Sequence, residues 1–200
     1  MITAATIILL GFFLGMRHAL DADHVVAVST IVSRERKLLR AAGVGALWGI
    51  GHSLTILVVG GAIVIFRIAL PPRASAVMEF CVAIMLVVLG IRNLRSHPHE
   101  HHHDETRWPS MFVGIVHGLA GSAAVALLIV PAIRSQLLAT IYLAVFGAGT
   151  IAGMILMTCT MAMPMLYAQR RFAPLGRHLG VVFGIVSICF GVFLGAQIVL

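Results

Sequence analysis

The side chains with the most chemistry to offer are Arg17, His18, Asp21, Asp23 and His24, five ionisable groups within eight residues. Their flanks are apolar, with no charge over residues 2–16 or 25–32. An ionisable cluster inside a membrane-length apolar stretch is costly. It faces the protein interior or water and marks an ion or proton path. Two imidazoles with two carboxylates form a borderline nitrogen and oxygen ligand set. Such a set suits divalent nickel, cobalt or zinc better than sodium or magnesium.

Helical spacing sorts these groups. At 3.6 residues per turn, Asp21 lies about 60° from His18, and His24 about another 60° on, so the three share a face. They are the first ligands expected. Asp23 points about 100° away from His24. It ligates if the helix distorts, or else orients an imidazole. A straight helix also separates His18 from His24 by about 9 Å of rise, while metal–nitrogen bonds are about 2 Å. Either the helix distorts between the two or they serve successive positions. Gly15 is the nearest flexible residue. Arg17 is four residues before Asp21 and is expected to pair with it as an orienting counter-charge. His52 offers a third imidazole, and Ser53 is expected to bond either backbone or His52. His117 is a further candidate on a later apolar segment. Glu79 reads as an interfacial charge, with an entry carboxylate as the alternative.

These residues need a membrane-spanning scaffold. The 200 residues are 60% hydrophobic and 10% charged, against about 25% charged in a soluble domain. An all-α integral membrane protein is expected, with spans near 3–28, 43–66, 76–94, 110–131, 138–166 and 179–199. The whole of 1–200 then forms one transmembrane domain. Its net charge of +7 does not require nucleic acid, because membrane proteins gather Lys and Arg in cytoplasmic loops. Arg34, Arg36, Lys37, Arg40, Arg92, Arg95, Arg107, Arg170, Arg171 and Arg177 fall on one side, against Arg67, Arg73 and Arg134 on the other. The positive-inside rule therefore places both termini outside the cytoplasmic membrane. No basic leader segment precedes the first apolar stretch. The three cysteines lie in apolar segments without a CxxC pair, so they read as small hydrophobes. Gly147, Gly149 and Gly153, with Gly180, Gly184, Gly191 and Gly195, read as helix-packing positions, and the fifth span is expected to end near Pro164.

Two further patterns stand out. Gly15, His18, Leu20, Val26 and Ala27 recur as Gly114, His117, Leu119, Val125 and Ala126. Trp48-Gly49 and Phe146-Gly147 recur at nearly the same offset. Three spans per half would give a 3+3 inverted repeat, with the site near the bilayer midplane. The second half carries Ala120, Ser122 and Ala123 where the first has Asp21, Asp23 and His24, so the first half holds the charged ligands. Between the halves, the loop over 95–109 carries His97, His99, His101, His102 and His103 among acids. It reads as a mobile, cytoplasmic, metal-gathering segment.

The run His18-Ala19-Leu20-Asp21-Ala22-Asp23-His24 resembles the signature helix of the nickel/cobalt transporter superfamily, His-Ala-x-x-x-Asp-His. Gly51-His52-Ser53 resembles that family's second motif. Gly114-x-x-His117-Gly118-Leu119-Ala120-Gly121 is similar to a short, six-helix branch that includes nickel/cobalt efflux proteins and urease-associated nickel permeases. The resemblance implies transport of Ni2+ or Co2+, with Zn2+ as a further candidate and urease-assembly proteins or metallochaperones as partners. Two other functions compete. One is an accessory protein that hands nickel to an enzyme. The other is an intramembrane metal-dependent hydrolase, disfavoured because no general base or nucleophile exists beyond the ligands. With no Gly-x-x-x-x-Gly-Lys pattern there is no ATPase signature. A non-enzymatic carrier, with no catalytic cofactor, is the expectation.

Overall fold

The computed structural model describes residues 3–33, 35–66, 71–95, 107–119, 133, 135–171 and 175–199. These form seven helices and no strand among the described residues. They are α1 (Ala4–His18), α2 (Ala22–Val32), α3 (Leu38–Phe66), α4 (Pro72–Arg95), α5 (Arg107–Leu119), α6 (Gln136–Arg171) and α7 (Leu175–Val199).

Four helices, α3, α4, α6 and α7, are each long and apolar enough to cross a bilayer. The pair α1 and α2 qualifies only together, bent by 54°. The continuous helix expected over 3–28 is therefore broken, after His18. The i→i−4 ladder gives way to tighter bonds, Leu20 N–H to Arg17 O at 2.9 Å and Asp21 N–H to His18 O at 3.1 Å. Such three-residue turns overwind and end a helix. Asp21 then takes an extended backbone (φ −62°, ψ 148°) and starts α2. Irregular backbone at membrane depth survives only where protein or a cavity satisfies it; Ala19 on one side of the break is fully buried, while Leu20 and the Asp21 side chain on the other are exposed.

The fifth span also departs from expectation. Pro164 lies inside α6, which continues to Arg171. Proline removes one ladder hydrogen bond, a defect that membrane helices tolerate. The Gln169 side chain donates to Ser33 O at 2.9 Å, which holds the last turn in place. Of the span expected over 110–131, the part beyond Leu119 lies outside the described residues, as does the His97–His103 tract.

Glycines set the helix contacts. At Gly15 a Cβ would run into Phe146 O of α6, and at Gly149 into Phe12 O of α1. At Gly114 it would run into Trp48 O of α3, and at Gly51 into Met111 O of α5. Membrane helices gain little from hydrophobicity against lipid, so close backbone approach through small residues is what holds them together. Gly90 and Gly184 do the same for α4 and α7. The result is a block of α1, α3, α5 and α6, and a second pair, α4 with α7. Helix α2 lies between them and touches α7, α6 and α4. Trp48, Tyr142, Phe146 and Met154 fill the interior, while Leu9, Phe13, Val58, Ile185 and Phe193 face outward as a lipid-exposed surface should.

Candidate metal site

The break in the first span decides the geometry of the site. It turns α2 back so that the His18 and His24 rings lie 4.7 Å apart, edge to face. Helix α3 adds His52, 5.1 Å from each of those rings. Helix α5 adds His117, 4.2 Å from His24 and 5.8 Å from His52. His24, His52 and His117 are fully buried, and His18 nearly so. Four imidazoles from four helices therefore converge inside the bundle.

The carboxylates sit around this cluster and fix its protons. Asp23 Oδ1 accepts from His24 Nδ1 at 3.1 Å and from the His24 backbone N–H at 3.0 Å. Asp23 Oδ2 accepts from His117 Nε2 at 2.9 Å. Asp21 Oδ2 accepts from His18 Nδ1 at 2.9 Å. An ionised carboxylate only accepts, and a neutral imidazole has one N–H and one lone pair. The lone pairs then belong to His18 Nε2, His24 Nε2 and His117 Nδ1. His18 Nε2 lies 3.0 Å from His52 Nε2, so His52 donates there and keeps its own lone pair on Nδ1. Three of these four acceptor nitrogens, on His24, His52 and His117, are buried without a hydrogen-bond partner. Buried polar atoms are rarely left so. Among the described residues two overlapping triads, His18/His24/His52 and Asp23/His24/His117, each bring one potential ligand atom per residue within 4.8 Å of the others, and they share His24. Imidazole nitrogens and a carboxylate brought together in this way suit an electrophilic divalent ion of the transition series.

This arrangement lies within a known family. Residues 4–104 match the family described as NicO, high-affinity nickel-transport protein. Over 204 aligned residues the chain is 36% identical to the urease accessory protein UreH of Bacillus sp. (strain TB-90), covering 94% of this chain and 89% of that protein. The chain belongs to the NicO family. It is thus an integral membrane protein of a nickel-transport family, not of an enzyme family. No solved structure matches it. The NicO match contains His18, Asp21, Asp23, His24 and His52; His117 lies beyond it.

The expected residues divide in their placement. His18, His24, His52 and His117 come together, with Asp23 bridging two of them. Asp21, whose side chain is 45% exposed, faces His18 from outside the triads. The expected Arg17–Asp21 pair is not formed among the described residues. The helix ends between the two, and Arg17 is exposed while Asp21 turns to His18. Ser53 bonds backbone, donating to Gly147 O at 3.0 Å, and so fastens the His52 turn of α3 to α6. Trp48 also borders the site, although its residue type offers no ligand. Its ring stacks on His24 at 6.0 Å and 18° and meets His117 edge-on at 5.7 Å. Its position one helical turn before His52 on the same apolar helix was the available signal.

Proposed function

We propose that this NicO-family protein carries divalent nickel across the cytoplasmic membrane through the imidazole cluster of His18, His24, His52 and His117. The observation that carries the reading is the convergence of buried His24, His52 and His117, each with one ring nitrogen that lacks a hydrogen-bond partner, in two overlapping sets of potential metal ligands among the described residues. An unmet buried acceptor costs roughly 1–3 kcal/mol. A metal ion would satisfy several at once. Asp23 serves as ligand in the second triad or as the group that holds His24 and His117 in their metal-ready tautomers, and Asp21 does the latter for His18. Ser53 orients α3, and Arg17 adds positive charge near the break. The same donors would accept cobalt, and zinc less selectively.

The reading includes one transmembrane domain of six spans, built as a 3+3 inverted repeat, with both termini outside. The contacts support the repeat pair by pair. Gly15 against Phe146 corresponds to Gly114 against Trp48, and Gly149 against Phe12 to Gly51 against Met111. Gly153 against Met16 O corresponds to Thr55, whose hydroxyl donates to Ile115 O at 3.1 Å. In sequence, residues 12, 15 and 16 map 99 positions on, and residues 48, 51 and 55 map 98 positions on. A two-fold axis in the membrane plane would generate such exchanged pairs. The His97–His103 tract then gathers metal on the cytoplasmic side.

The name of the UreH relative favours a second reading, in which the protein hands nickel to urease assembly. Nickel-63 flux in proteoliposomes tests the choice. Flux in wild type that is lost in folded His18→Ala and His24→Ala variants supports transport through the cluster. Metal that binds to purified protein but never crosses would move the accessory reading ahead.

A further inference from the structure

A cavity of about 440 Å³ opens between the first half of α4 and the last turns of α7. Asp23, Glu79 and Gln197 are its polar lining among the described residues. Val82, Leu194 and Ile198 make its apolar wall. Glu79 and Gln197 are exposed, while the Asp23 side chain is only 19% exposed. The same Asp23 carboxylate that faces this cavity holds His24 and His117 on its other side. One side chain, Asp23, therefore touches both this cavity and the buried imidazoles.

We propose that this chamber is the entrance through which a hydrated divalent cation reaches the imidazole cluster, with Glu79 and Gln197 as the residues that hold it there. The inference rests on the transport reading above. Three features argue for it. The volume fits, since six waters at about 30 Å³ each occupy about 180 Å³ and the ion adds little. The chemistry fits, since hydrated cations are held by oxygen donors through their water, and the chamber offers two carboxylates and an amide. A charged mouth with apolar walls focuses the field on the path inward. Among the described residues Glu79 accepts one 3.3 Å bond, from Ser75 to Oε1, which leaves Oε2 for a ligand. The chamber lies at the end of α4 opposite Arg92 and Arg95. With those arginines cytoplasmic, it opens to the outside, and the direction it serves is uptake. Imidazoles replace the water only past Asp23, so capture and selection occur at different places.

The test uses the intact protein in proteoliposomes with nickel-63. Glu79→Gln is expected to raise the half-saturating nickel concentration roughly three- to ten-fold with little change in maximal rate, as loss of a steering charge should. Gln197→Cys, in a background with Cys81, Cys159 and Cys189 replaced by Ser, is modified after folding with a membrane-impermeant, trimethylammonium-bearing thiol reagent. That bulky cation is expected to cut uptake at least five-fold and to be excluded by prior addition of nickel. Either measurement at its unmodified value overturns the entrance, provided that wild type transports and His24→Ala does not. Absence of wild-type flux, or full flux in His24→Ala, instead overturns the transport reading itself and the entrance with it.

Discussion

Replacing Asp23 with asparagine separates a proton-placing role from a merely structural one. Asp23 accepts from two ring nitrogens at once, His24 Nδ1 at 3.1 Å and His117 Nε2 at 2.9 Å. An amide has one acceptor oxygen, and its NH2 only donates. One imidazole must then face an N–H donor and reverse its tautomer, which puts a proton on the nitrogen meant for metal. Loss of such an orienting partner weakens metal binding about 10–100-fold, or about 1.4–2.7 kcal/mol. The lost charge adds to this. A unit negative charge attracts a divalent ion by about 7 kcal/mol gross at 4.8 Å and an effective dielectric of about 20. The expected loss is therefore at least tenfold, and more if Asp23 is itself a ligand. Asp21→Asn is the internal control. That carboxylate holds one imidazole, at 2.9 Å, and is 45% exposed, so its loss should cost clearly less. Equilibrium nickel binding to detergent-purified protein reads both variants. An Asp23→Asn affinity within about threefold of wild type, or an Asp21→Asn loss equal to it, would refute the reasoning.

Three other perturbations have definite expected outcomes. At Gly153 an added Cβ would lie 2.8 Å from Met16 O and Ala19 Cβ, well inside the 3.4 Å of ordinary contact. Gly153→Ala should therefore push the His18 end of α1 off α6 and lower flux several-fold while the protein still purifies folded; unaltered flux would show that α1 is not so constrained. Deletion of residues 97–103 should leave maximal flux intact, and its abolition would make that tract part of the path. Burial raises the carboxyl of Glu35 above its ordinary value near 4.5, against the opposing pull of Arg40. A raised folded value means that this group stabilises the fold below the unfolded value and that the contribution is lost as pH climbs through the folded one. Glu35→Gln should thus melt higher than wild type at pH 7, with the gap closing near pH 4; equal gaps at the two pH values would contradict that sign.

Much of this molecule was legible in its sequence. Hydropathy alone marks α3, α4, α6, α7 and the bent α1–α2 pair as membrane-length, because backbone in lipid must satisfy itself within a helix. The imidazoles at positions 18, 24, 52 and 117 are conspicuous for the same reason, as polar groups in apolar surroundings. What periodicity misplaced was Asp21, which a straight helix puts on the ligand face and the break puts behind His18. The break itself has no proline or glycine at residues 19–21 to announce it. It arises from tertiary packing, where Gly15 and Ala19 press on α6 and α2 turns toward α7. Pro164 misled in the opposite sense, since a proline ends helices more reliably in water than in a bundle that tolerates one missing hydrogen bond. Trp48 carried no signal of its own beyond its spacing from His52.

The candidate ligands do not all belong to one body. His18, His52 and His117 ride on α1, α3 and α5, which the glycine contacts lock together with α6. His24 and Asp23 ride on α2, which Thr30 ties to α7 by donating to Phe183 O, Asn93 of α4 and Gln169 of α6 tie down by donating to Ser33 Oγ and O at its end, and the Asp23–His117 bond ties to α5. Because His24 belongs to both triads, a small swing of α2 about residues 19–21 would lengthen bonds to an ion in either one while leaving the other three imidazoles in register. The bend would then act as a wrist, by which one short helix could grip an ion and let it go.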